Sequence, residues 1–318
     1  MKWKIMVSAP YMLPEIDRFR SWFEEHDMEL YVPDVKERLE ESELLELISE
    51  FDGVICGDDR FSEAVYKKAN RLKVISKWGT GIDAIHKDIA EQYGIKVYNT
   101  PDAFSHPLSD TVLAWMLSFS RNVIKQDCMM KSGGWEKIKG KTLSEQTLGT
   151  IGCGNIGSRV AKKASAFGMR ILAYDVRELA KPLLEEYQIK QVEMDVLLEE
   201  ADFISMNCDL NSSSFHLLSD KEFLKMKKSS IVINTARGSV IDEKALIKAL
   251  KEREIAGAAL DVFELEPLPI DSPLRSMENV ILSSHNTNSS PKYWEIVHKS
   301  TLNNLLNGLK ETEKGQDR

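Results

Sequence analysis

The 318-residue chain carries 50 acidic against 42 basic side chains, a formal net charge of -8, and is 42% hydrophobic and 29% charged. That length is more than one hydrophobic core comfortably serves, so two domains are expected, and the acidic balance argues against a nucleic-acid partner, which needs a basic surface. No run approaches the roughly 18 apolar residues of a membrane span. Cys56, Cys128, Cys153 and Cys208 are scattered without a C-x-x-C pair, a pattern of reduced thiols in a cytoplasmic protein.

The first hundred residues alternate short apolar runs with amphipathic stretches. Met1 to Val7 reads as a first strand rather than a signal peptide, because the apolar run is short and Glu15, Asp17 and Arg18 follow. Strands are predicted at Lys4 to Val7, Gly53 to Cys56, Lys73 to Ser76 and Lys96 to Tyr98. Helices are predicted at Leu13 to His26, Ser42 to Ser49, Ser62 to Asn70 and Lys87 to Tyr93. Such alternation implies parallel β-α-β units. The acidic run Glu37 to Glu50 is read as a solvated helix face with Leu39, Leu44, Leu45 and Ile48 turned inward. After the third of these strands, Trp78, Gly79 and Thr80 stand where open α/β sheets bind ligands. Backbone N–H groups there can hold a carboxylate, and the same residues also suit a plain strand-to-loop turn.

Asn99-Thr100-Pro101-Asp102 is a breaker cluster and marks the first crossing between domains. Leu108 to Arg121 is apolar around much of its circumference, which predicts a helix buried between domains or at a dimer interface. Thr147 to Ile151 reads as a buried strand and Ile156 to Phe167 as a helix, with Gly152, Gly154 and Gly157 at G-x-G-x-x-G spacing across the turn joining them. In that setting Gly152 permits the tight turn, Gly154 the approach of a pyrophosphate, and Gly157 close packing of helix on strand. Asp175 follows the next strand, Arg170 to Tyr174. A carboxylate there can bind an adenosine ribose and repel a 2′-phosphate, so NAD is expected over NADP.

Further strands are predicted at Phe203 to Met206, Ser230 to Asn234, Ala256 to Leu260 and Val280 to Leu282. Helices are predicted at Val192 to Glu200, Asp220 to Met226 and Asp242 to Glu252, the last capped by Asp242. A final helix runs from Pro291 to Asn307, followed by a charged tail, Lys310 to Arg318, expected to be disordered. Arg237, Glu266 and His285 each follow a predicted strand and so rise to one rim of the sheet. A histidine near neutral pKa can give or take the proton of a secondary alcohol, a carboxylate can hold its ring, and a guanidinium can bind a carboxylate and polarise the adjoining carbonyl. Neither a metal-ligand cluster nor a G-x-S-x-G nucleophile motif stands out.

The segments Lys77 to Asp83, Leu148 to Asp175, Asn-Thr-Ala-Arg-Gly from Asn234, Leu-Asp-Val-Phe-Glu-x-Glu-Pro ending at Pro267, and Ser283-Ser284-His285 together resemble the D-isomer-specific 2-hydroxyacid dehydrogenase family, phosphoglycerate dehydrogenases among them. The resemblance implies two doubly wound parallel-sheet α/β domains. One is a flavodoxin-like substrate domain of residues 1–100 plus 287–318, and the other a Rossmann NAD-binding domain of residues 101–286 that dimerises. It implies Arg237, Glu266 and His285 as catalytic residues, and Trp78, Gly79, Thr80 and Arg237 as holding the substrate carboxylate. NAD contacts are implied at Gly152, Gly154, Asn155, Ile156, Gly157, Asp175, Thr235, Ala236, Arg237, Asp261, His285 and Asn288, with Asp261 toward the carboxamide. The expected partner is a small 2-hydroxy or 2-oxo acid. 3-Phosphoglycerate is the alternative substrate, which Lys77, Arg60 or Lys87 would meet, and an NADH-sensing scaffold the alternative function. The chain departs from the family pattern at Asn207-Cys208-Asp209, where His-x-Pro is usual, and at Asn286-Thr287-Asn288, where small residues and Gly are usual. His106, in the hinge segment, is read as approaching the substrate or as structural. His26, His86, His216 and His298, which have no partner motif, are read as surface or packing residues.

Overall fold

The computed structural model describes residues 3–316, so the expectations for Met1, Lys2, Asp317 and Arg318 lie outside the described residues. The chain divides into two compact units, Met1–Phe104 with Ser290–Arg318, and Ser105–Ser289. The first holds β1 (Trp3–Val7), β2 (Met28–Tyr31), β3 (Gly53–Cys56), β4 (Val74–Lys77) and β5 (Lys96–Tyr98) in the order β2-β1-β3-β4-β5. All four pairings are parallel, and the order is that of a flavodoxin-like sheet whose direction reverses between β1 and β3.

The second unit holds β6 (Thr147–Ile151), β7 (Arg170–Tyr174), β8 (Ile189–Gln191), β9 (Phe203–Met206), β10 (Ile231–Asn234), β11 (Gly257–Leu260) and β12 (Val280–Leu282). Their order, β12-β11-β10-β9-β6-β7-β8, is a parallel Rossmann sheet with one further strand, reversing between β6 and β9. The two-residue period of a strand sorts its side chains into two cores. Ile204, Met206 and Val232 pack with Leu197, Leu246 and Leu250, while Phe203, Ile231 and Ile233 belong with Val112, Met116, Val160 and Ala164. The helix Glu243–Glu252 starts where expected, with Asp242 Oδ1 accepting the Ala245 N–H at 3.1 Å.

The fold is that of two doubly wound parallel sheets, with local corrections, among them the helices Val123–Lys131 and Lys181–Glu186, which have no predicted counterpart. β2 and β8 have no counterpart among the predicted strands. Both are edge strands, and Glu29 interrupts the first while Lys190 and Gln191 fill most of the second, so neither shows a continuous apolar run. The stretch from Leu13 is a 3-10 helix, Leu13–Phe19, leading into a short α-helix, Arg20–Glu25. The helix Ser105–Ser120 buries Val112, Leu113, Trp115 and Met116 in the core of its own unit, against the helix Asn155–Ala166, which accounts for its apolar circumference. The last helix runs on from Pro291 to Gln316, so the tail expected to be disordered is helical as far as it is described. Glu311 on that helix accepts from Lys96 Nζ at 2.7 Å and from the Tyr98 hydroxyl at 3.1 Å. Among the described residues no helix is long and apolar enough to cross a membrane.

Candidate active site

The glycine-rich turn leaves β6 at the point where the sheet order reverses. Gly152 has φ +83°, and a Cβ there would lie 2.7 Å from the Asn207 carbonyl oxygen, so this corner accepts glycine alone. A Cβ on Gly157 would stand 2.1 Å from the Gly152 oxygen, which is the close helix-on-strand packing expected of that position. At Gly154 a Cβ would meet nothing nearer than Arg177 Nη2 at 4.0 Å, so the space above the turn is open. The helix Asn155–Ala166 begins there, and its first N–H groups have no intrahelical acceptor, which together with its dipole suits a diphosphate.

Asp175 follows β7. Its Oδ2 accepts the Cys153 N–H at 2.8 Å, and its Oδ1 the Arg177 N–H at 3.0 Å and Arg177 Nε at 3.4 Å. Burial alone would raise this carboxyl, but the two backbone donors and the guanidinium outweigh it and hold Asp175 below the usual carboxylate range. The side chain is therefore an anion at neutral pH, as ribose recognition requires. Across the switch point Asn207 Nδ2 donates to Thr150 Oγ1, Ser205 O and Ser205 Oγ, each at 3.0 Å. The asparagine that departs from the family pattern thus ties the ends of β6 and β9 together. Burial raises the thiols of Cys153 and Cys208 to about 11, which leaves both as unreactive neighbours of the turn.

Arg237, Glu266 and His285 follow β10, β11 and β12, three strands adjacent in the sheet. Glu266 Oε2 lies 2.9 Å from His285 Nδ1, while its Oε1 accepts the Phe263 N–H at 2.9 Å and so orients the carboxylate. The main chain before Arg237 is held by the Asn234 side chain, which accepts from Ala236 N at 3.0 Å and donates to Arg237 O at 2.9 Å. His285 has φ +52°, an uncommon backbone for a histidine. Asp261 supports it. Its main-chain oxygen accepts the His285 N–H at 2.8 Å, and its buried carboxylate accepts Asn286 N at 2.8 Å, Thr287 N at 3.1 Å and Thr287 Oγ1 at 2.5 Å. The sequence names Asp261 for another role and does not show this clamp, which joins residues 25 and 26 positions apart.

In the unit Met1–Phe104 with Ser290–Arg318, the Trp78 to Thr80 loop is organised through its carbonyls. Gly79 O accepts Thr100 N and Thr100 Oγ1, both at 2.9 Å, Thr80 O accepts Asn99 Nδ2 at 2.6 Å, and Trp78 O accepts Lys77 Nζ at 3.1 Å. Among the described residues the N–H groups of Gly79 and Thr80 donate to no protein acceptor. The loop therefore presents donors, with Gly79 at φ +123° where an L side chain is strained.

Elsewhere, His216 Nε2 lies 2.8 Å from Glu264 Oε1 and its Nδ1 3.8 Å from Asp242 Oδ2, so this histidine has carboxylate partners that the sequence did not reveal. His298 also has a partner, the Trp78 indole N–H. His106 is exposed at the start of its helix.

Among the described residues of the Ser105–Ser289 unit, the buried side-chain atoms Asn207 Oδ1, Thr235 Oγ1, Ser272 Oγ, Asn288 Oδ1 and Arg159 Nε have no hydrogen-bond partner. Unsatisfied buried polar atoms are costly, and Asn207, Thr235 and Asn288, which follow β9, β10 and β12, offer theirs to a polar ligand. Residues 113–287 match the family described as D-isomer specific 2-hydroxyacid dehydrogenase, NAD binding domain. A glyoxylate reductase of Korarchaeum cryptofilum is 35% identical over 271 residues, which cover 83% of this chain and 81% of that one. A hydroxypyruvate reductase of Thermotoga maritima is 40% identical over 255 residues, 78% of this chain and 82% of that one. A D-lactate dehydrogenase of Aquifex aeolicus, solved with NAD and lactic acid, superposes with a TM-score of 0.84 at 26% identity over 98% of both chains. The open space at Gly154, the ionised Asp175 and the unsatisfied acceptors fit NAD, whose bound nicotinamide supplies or accepts a hydride. The chain belongs to the D-isomer specific 2-hydroxyacid dehydrogenase family and is an NAD-dependent dehydrogenase of that class.

Proposed function

We propose that the protein interconverts a small D-2-hydroxy acid and its 2-oxo acid, with His285 as acid and base, Glu266 as its partner and Arg237 as the holder of the substrate. The 2.9 Å contact between Glu266 Oε2 and His285 Nδ1 carries this reading. A carboxylate on Nδ1 keeps that nitrogen protonated, so Nε2 is the nitrogen that exchanges a proton. In the reducing direction His285 Nε2 gives its proton to the carbonyl oxygen as hydride reaches the carbonyl carbon. In the oxidising direction it withdraws the hydroxyl proton. Arg237 binds the substrate carboxylate in bidentate fashion and polarises the neighbouring carbonyl.

We assign the Ser105–Ser289 unit to the cofactor and the other unit to the substrate. Gly152, Gly154, Asn155, Ile156 and Gly157 face the diphosphate, Asp175 binds the ribose, and Thr235, Ala236, Asp261 and Asn288 line the nicotinamide end. The N–H groups at Gly79 and Thr80, which donate to no acceptor among the described residues, support a second hold on the substrate carboxylate. Glyoxylate and hydroxypyruvate, named in the relatives, are the favoured substrates. 3-Phosphoglycerate is disfavoured because Lys77 Nζ is already 3.1 Å from Asp58 Oδ1 and Lys87 Nζ is 3.7 Å from Glu91 Oε1. Val123, Ile124, Met130 and Trp135 form an exposed apolar stretch that supports a homodimer, and four free thiols suit a cytoplasmic location.

The test is NADH consumption with glyoxylate, hydroxypyruvate, pyruvate and phosphohydroxypyruvate. Turnover of the first two above the last is expected. Faster turnover of the phosphorylated acid would overturn the substrate assignment.

A further inference from the structure

We propose that His298, on the last helix, is a positioning residue for substrate: by accepting the Trp78 indole N–H it fixes the loop whose N–H groups meet the substrate carboxylate. The inference rests on the reading of that loop given above. Trp78 is 3% exposed, and its Nε1 lies 3.0 Å from His298 Nδ1. An indole nitrogen is a donor only, so His298 Nδ1 presents its lone pair and the ring carries its proton on Nε2. His298 is 1% exposed, and burial lowers its pKa. Glu15 and Glu295 oppose that shift and Arg18 adds to it, and the net effect favours the neutral ring the acceptor role requires.

The surroundings show why one hydrogen bond matters. The indole otherwise touches rings, with centroids at 5.1 Å for Tyr11, 5.6 Å for Phe104 and 5.8 Å for Trp294. Ring contacts of this kind fill space but tolerate sliding, whereas a buried N–H demands an acceptor in one direction. Trp78 is joined directly to Gly79, so the indole's orientation sets the start of the donor loop. Thr100 and Asn99 pin the far side through its carbonyls. Without His298 the Trp78 end keeps its main-chain bonds, the Trp78 N–H to Cys56 O and Lys77 Nζ to Trp78 O, but the indole that sets the start of the loop loses its hydrogen bond.

Steady-state kinetics on the full chain with glyoxylate test this. His298→Leu is expected to raise KM about tenfold with kcat and NADH affinity nearly unchanged, the size of one lost buried hydrogen bond. His298→Asn, which offers an amide oxygen near the Nδ1 position, should restore most of the loss. Trp78→Phe, which lacks the N–H, should match His298→Leu, and the double variant should be no worse than Trp78→Phe alone. Unchanged KM in His298→Leu, failure of Asn to rescue, or additive losses in the double variant would each overturn the proposal. Gly79→Ala separates the two readings. If it leaves KM unchanged, the loop does not hold substrate. If it raises KM while His298→Leu does not, the loop reading stands and the role of His298 falls.

Discussion

The strand ends of the Ser105–Ser289 unit and the Trp78 to Thr80 loop of the other unit both present polar groups, but by opposite means. At the strand ends the groups are side chains, each oriented by another: Glu266 holds His285, and Asp261 holds the backbone on which His285 is carried. In the loop the groups are main-chain N–H donors, set by what the carbonyls beside them bind. Side-chain chemistry is written in residue types and can be altered one residue at a time. Backbone donors belong to conformation, so they are disturbed only through neighbours such as Thr100 or His298.

Substitutions at the strand ends should lower the rate of the chemical step. His285→Ala is expected to lower kcat about a thousandfold, the range of lost general acid–base catalysis, in an assay of NADH oxidation by glyoxylate. Arg237→Lys keeps the charge but loses the planar fork, and should lower kcat/KM about a hundredfold, read from initial rates over a range of oxo-acid concentrations. Asp175→Ser should raise KM for NAD about tenfold while narrowing the preference over NADP, measured with both cofactors. Because Asp175 is held below the ordinary carboxylate range, its contribution persists on mild acidification and is lost only as pH falls through that lowered value.

The smallest effect falls on the other unit's fold. Burial pushes Asp59 up to about 6 despite hydrogen bonds from Ser8 Oγ and Leu39 N. A folded value above the unfolded one means that protonation favours the fold, so stability should fall as pH rises from the ordinary aspartate range to about 6 and then level off. Tm recorded across that window should show the slope in the wild type and lose it in Asp59→Asn. A slope kept by the variant would place its origin elsewhere.

The same contrast explains what could be read in the sequence. Central strands such as β9 and β10, buried at every position, announce themselves as apolar runs, while the edge strands β2 and β8 are broken by polar residues and are silent. The glycines of the turn and the placement of Arg237, Glu266 and His285 after three strands were legible because residue types and the apolar runs before them stand in the sequence itself. The clamp of Asp261 on Asn286 and Thr287 and the bond from Trp78 to His298, 220 residues apart, were not, since each joins residues by the fold alone. The helical continuation past Lys310 was hidden for the same reason: Glu311 looks like tail composition until Lys96 and Tyr98 are brought to it.

If His285 moves a proton rather than holding the cofactor, NADH binding measured on the same His285→Ala preparation used for turnover separates the two roles. Titration by quenching of tryptophan fluorescence should give a Kd within about twofold of the wild type while turnover is lost. A loss of NADH affinity as large as the loss of turnover would contradict the proton-transfer role.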